Sequence, residues 1–108
     1  MSAELAGALR ERVTIESRSP ARDAVGGRVN GWGFDGAAWA AVAPLLPGEV
    51  ELAESARLRP RWAVTMRKRE GITARTRLVW RGRFLHVRGV TCDPREPSRM
   101  VLRCDEQD

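Results

Sequence analysis

The sequence predicts a mainly β fold: a small six-stranded β-barrel with one short helix and one long glycine-rich loop. Three observations lead there. Apolar and polar residues alternate along most of the chain, the alternating runs are short and bounded by turn residues, and a single segment switches to helical spacing. At 108 residues the chain is expected to form one domain, residues 1–108, with a single modest core.

The first strand is "RVTIE", residues 12–16, which turns Val13 and Ile15 one way and Arg12, Thr14 and Glu16 the other. The second is "AWAAVAP", 38–44, where Trp39, Ala41 and Ala43 oppose Ala40 and Val42. The bulk of the indole puts the Trp39 side on the core. "RWAVTMRK", 61–68, alternates Trp62, Val64 and Met66 with Ala63, Thr65 and Arg67. "RLVWRGRFLHVRGV", 77–90, is a hairpin whose two-residue turn is Arg81-Gly82, the glycine accepting a positive φ. "RMVLRC", 99–104, closes the set with Met100, Leu102 and Cys104 on one side. Val13, Ile15, Trp39, Trp62 and Val64 are the expected core anchors.

One segment departs from alternation. "PGEVELAESARLRP" spaces Val50 and Ala53, and Leu52 and Ala56, at helical intervals, with Glu49 and Glu51 early, Arg57 and Arg59 late, and Pro60 as a stop. A short helix over 47–59 follows, with Val50 or Leu52 expected against Trp39.

Residues 17–36 form the expected long loop. Its stretch "RDAVGGRVNGWGFDG" holds five of the ten glycines and contains a literal G-x-G-x-x-G. A dinucleotide fingerprint requires a buried strand entering the glycines and a helix leaving them. Here the approach is polar and glycine-broken, and Trp32 and Phe34 stand where a pyrophosphate would have to come close. No cofactor site is read.

The chain has 19 Lys+Arg against 14 Asp+Glu, a net charge of +5, and Lys68 is its one lysine. Arginine forks onto phosphate oxygens and keeps its charge, so the excess suits a nucleic-acid partner; a GC-rich coding sequence yields the same bias. The arginines are grouped. Arg22 and Arg28 flank Gly26-Gly27 in the loop, Arg67, Lys68 and Arg69 end one strand, and Arg75, Arg77, Arg81, Arg83 and Arg88 surround the hairpin. These groups suit either a nucleic-acid face or strand edges blunted by cations.

No catalytic, metal or cofactor residue is assigned. His86 is the single histidine, Cys92 and Cys104 read as reduced thiols, and no nucleophile or zinc motif occurs. Neither a secretory leader nor a membrane span is read, and a soluble chain made in the cytoplasm is expected.

The order of pieces from Gly7 to Glu106 resembles the phage head–tail joining family, the head-closure or stopper proteins of tailed phages and gene transfer agents. The resemblance rests on Leu9-Arg10 before the first strand, Gly26-Gly27 followed by Trp32, and Trp39-Ala40 with Pro44-Leu45. Gly48-Glu49, the Arg81-Gly82 hairpin and Asp93-Pro94 complete it. Val25 stands where the family often has an aromatic, and "GFDGA", 33–37, reads as a small addition.

The resemblance implies a structural, non-enzymatic neck protein of a phage or phage-like particle, assembled in the bacterial cytoplasm. It would form a ring with copies of itself between the portal or adaptor and the tail terminator. That ring would retain packaged double-stranded DNA without sequence preference and give the tail its docking surface. Arg22, Gly26, Gly27 and Arg28 are then the expected DNA- or channel-facing loop residues. The other function the residues suit is a small basic barrel that binds nucleic acid as a free regulator or chaperone.

Overall fold

The computed structural model describes residues 9–18, 31–45 and 60–107. It contains β1 (Glu11–Arg18), β2 (Trp32–Pro44), β3 (Arg61–Arg67), β4 (Thr76–Trp80), β5 (Arg83–Thr91) and β6 (Arg99–Gln107). All six pair antiparallel and close on themselves in the order β1-β2-β3-β6-β5-β4. Closure leaves none of these strands as an open edge, so edge blunting does not account for the arginines.

Alternation builds the interior directly. Val13, Ile15, Val64, Met66, Leu78, Leu85, Val87, Leu102 and Cys104 turn inward and are buried, and Ala40, Trp80 and Met100 join them. Trp62 is half-buried and packs against this core. The tight β4–β5 turn forms as expected, with positive φ at both Arg81 (50°) and Gly82 (75°), the two-residue geometry that matches strand twist.

Trp39 overturns an expectation. It is 54% exposed and lies on the outer wall. Opposed residues of paired strands share a face, and Ala38 sits opposite buried Val13, Ala40 opposite Met66 and Val42 opposite Val64. The neighbours thus impose the Ala38–Ala40–Val42 parity and turn the indole out. A six-stranded lumen already filled by Met66, Leu78 and Leu102 takes alanine from this strand.

The loop is also shorter at its ends than expected. Ser17 pairs with Gly33 and Arg18 with Trp32, so residues 17–18 and 32–36 are strand. The extra length of "GFDGA" is absorbed as a bulge. Ile15 faces Gly36 while Glu16 faces Phe34, leaving Asp35 unopposed, and Gly36 takes φ 145°, a conformation that side chains disfavour. The expected helix 47–59 and the loop residues Arg22, Gly26, Gly27 and Arg28 lie outside the described residues. Among the described residues, no helix is long and apolar enough to cross a membrane.

Candidate functional site

The outer wall divides into two regions of different electrostatic character. The division follows from which arginines find carboxylates across the strand ladder.

At one mouth of the barrel, Trp80 Nε1–H donates to Glu11 Oε1 at 2.9 Å, and Arg81 forks onto both oxygens of Glu11 at 2.9 and 3.0 Å. Trp62 Nε1–H donates to Glu106 Oε1 at 2.9 Å, and Arg83 reaches the same oxygen at 3.2 Å. The two indoles meet edge to face at 5.0 Å between centroids. Trp80 is buried and Trp62 half-buried at the mouth, and each satisfies its N–H on a carboxylate that an arginine neutralises.

A second assembly crosses β1, β4, β5 and β6. Register places Glu16, Arg77, His86 and Asp105 in successive opposed positions around the outer wall. Arg77 Nε donates to Glu16 at 2.7 Å, and its guanidinium lies 4.3 Å from the ring centres of both Trp32 and Phe84. His86 meets Trp32 edge to face at 6.2 Å, and Arg88 donates to Asp105 at 2.9 Å.

The hairpin arginines that looked like a basic face are thus engaged. Arg77, Arg81, Arg83 and Arg88 each hold a carboxylate, and Arg75 donates to the Arg18 carbonyl at 2.9 Å. Composition could not reveal this, because each partner lies on another strand.

Burial first, and then the Arg88 guanidinium, hold the His86 pKa below its ordinary 6.5, against a raising hydrogen bond at the Ala74 backbone and the Asp105 carboxylate. Its Nδ1 is enclosed with no hydrogen-bond partner among the described residues. A depressed basic pKa means the unfolded chain binds the proton more readily than the fold does. Stability contributed by neutral His86 should therefore fall as pH drops below 6.5. Urea midpoints taken from pH 7.5 down to about 5 should decline in the natural chain, and His86→Gln should flatten that decline; an unchanged slope would assign it to other groups.

The opposite side of β1 differs. An open groove of about 240 Å³ is lined by Leu9, Arg12, Ala37, Ala38, Trp39 and the consecutive cations Arg67, Lys68 and Arg69. Arg12 lies 5.1 Å from the Trp39 ring centre. Among the described residues no carboxylate lines the groove, and Phe34, 65% exposed, stands on the same strand as Trp39. Sequence reasoning found the Arg67–Arg69 group but missed Trp39, because only the register of β2 turns that ring to the same side as Arg12.

The thiols are separate. Cys92 is exposed and Cys104 is buried, its pKa pushed up to about 12 chiefly by burial. Among the described residues, no three His, Cys, Asp or Glu side chains gather as metal ligands would.

A family model described as phage head completion protein matches residues 5–107. No curated protein matches the chain. Among solved structures, the solution structure of protein SF1141 from Shigella flexneri 2a is similar, with a TM-score of 0.65 and 24% identity over 93% of this chain and 94% of that one. At that identity the likeness concerns the fold.

Proposed function

Because this chain belongs to the phage head completion protein family, whose members are structural, virion-associated proteins, we propose that it is a neck subunit. In this reading copies of it form a ring between the portal or adaptor and the tail terminator, retain the packaged DNA, and offer the tail a docking surface. The observation that carries the reading is the family match over nearly the whole chain, joined to a closed barrel with a divided outer wall. A cyclic ring needs two different complementary surfaces on each subunit. The carboxylate-paired belt and the indole-lined mouth lie on different parts of the barrel and would supply the two.

Closure without open edges also suits a ring. Subunits of this kind meet through side chains and not by strand addition, which keeps the number of copies from running on into a fibre. The loop carrying Arg22, Gly26, Gly27 and Arg28 is proposed to point toward the ring axis. There two arginines per subunit would form a collar for the phosphates, indifferent to base sequence.

Imaging particles produced without this chain tests the neck reading. Leaking, tailless heads are the expected result; intact, tailed particles, together with a monomer that binds DNA in free solution, would assign the chain to the regulator class instead. Arg22→Glu with Arg28→Glu tests the loop: folded, ring-competent subunits should yield particles that lose DNA. Normal retention and delivery would remove the loop from the gate.

A further inference from the structure

We infer that the groove formed by Arg12, Trp39, Arg67, Lys68 and Arg69 is a binding site for the phosphate backbone of duplex DNA, separate from the loop. The inference rests on the neck reading only for the presence of DNA. Its chemistry stands on the groove itself.

Four cations converge on one open surface, and among the described residues no carboxylate pairs with any of them. Elsewhere among the described residues five arginines hold carboxylates at 2.7 to 3.3 Å while Arg99 and Arg103 hold none, so what sets the groove apart is that four such cations converge on one surface. Glu70, next in sequence to Arg69, is exposed, outside the groove lining, and pairs with none of the four. Gathering like charges without partners is unfavourable in the free protein, and the repulsion is relieved when a polyanion enters.

The Arg69 guanidinium lies across Gly36 at the β2 bulge, where a Cβ would come within 2.9 Å of its terminal nitrogen. The bulge glycine leaves room for this guanidinium against the strand that carries Trp39.

The aromatic group narrows the ligand. Arg12 stands over the Trp39 ring, and the rest of the described lining is Leu9, two alanines and cations. With a guanidinium over it, the indole does not offer the free stacking platform that a single-strand binder uses, whereas a ring edge and flanking alanines suit sugar next to phosphate. The fitting partner is a duplex backbone held by charge, with no reading of base sequence.

The test uses the purified full chain and a labelled duplex of arbitrary sequence, about 25 base pairs long, followed by anisotropy across a salt series. Arg67→Gln with Lys68→Gln should weaken binding on the order of tenfold and reduce the salt slope by about 2, one for each phosphate contact removed. Arg81→Gln with Arg83→Gln removes the same charge from the paired mouth and should leave affinity and slope nearly unchanged. Melting curves of both variants confirm that each is folded. Equal losses in the two variants would reduce the effect to net charge and overturn the site. So would displacement of the duplex by an acidic peptide at lower concentration than by unlabelled DNA, which would make the groove a protein-docking surface. Either failure leaves the neck reading to the particle images, in which this groove plays no part.

Discussion

Leu102→Ala is expected to lower stability by about 3 kcal/mol and the melting temperature by roughly 12–20 °C. Leu102 is fully buried at the centre of β6, opposite Val64 of β3 on one side and Val90 of β5 on the other. A closed barrel has no flexible edge that can relax into the space, so the loss includes both the transfer of the removed methyl groups and the void they leave. Against a total of about 5–15 kcal/mol, such a loss takes a large share, and particle assembly should suffer with it. Trp39→Ala is the informative contrast. Although it removes a larger side chain, an exposed ring on the outer wall should cost no more than about 1 kcal/mol. Differential scanning calorimetry of the two variants checks the pair; equal losses would mean that Trp39 is held by more than Arg12.

Arg77→Ala is expected to cost about 2–3 kcal/mol, unusually much for an arginine on an outer wall. Its side chain and that of Glu16 are only 19% and 23% exposed, so water screens their 2.7 Å contact poorly. Two rings, Trp32 and Phe84, also lose the planar cation that lies 4.3 Å from each. Arg77→Lys keeps the charge without the flat fork and should recover roughly half of the loss. A double-mutant cycle with Glu16→Gln, read from urea unfolding, should give a coupling of about 1 kcal/mol or more. Additive losses would show that the rings, and not the carboxylate, hold this arginine.

Local pattern made much of this fold legible. Strict alternation around Val13 and Ile15, Val64 and Met66, Leu85 and Val87, and Met100 and Leu102 marks strands with one buried face, and all of these residues are buried in the barrel. Arg81-Gly82 marks a turn by its own conformational chemistry, with no help from distant residues. The ends of the 17–36 loop were less legible. A bulge that takes Asp35 out of the β1–β2 register depends on how "GFDGA" meets β1, and glycine-rich sequence looks the same in a loop and beside a bulge.

By itself, then, the sequence determined the number of strands and their order along the chain, the inward residues of β1, β3 and β6, and the hairpin, because those properties follow from side-chain period and turn chemistry over a few neighbouring residues. Only the tertiary structure decided which face of β2 turns inward and which arginines are neutralised. Period 2 defines two faces without ranking them, and in β2 one face offers Trp39 with alanines while the other offers alanines with Val42. The choice is made by Val13, Val64 and Met66 on the adjoining strands. Likewise Arg77 meets Glu16 across 61 positions and Arg81 meets Glu11 across 70, whereas Arg67, Lys68 and Arg69 find no carboxylate among the described residues. Charge and composition are fixed residue by residue, but pairing depends on register, and register exists only once the barrel has closed.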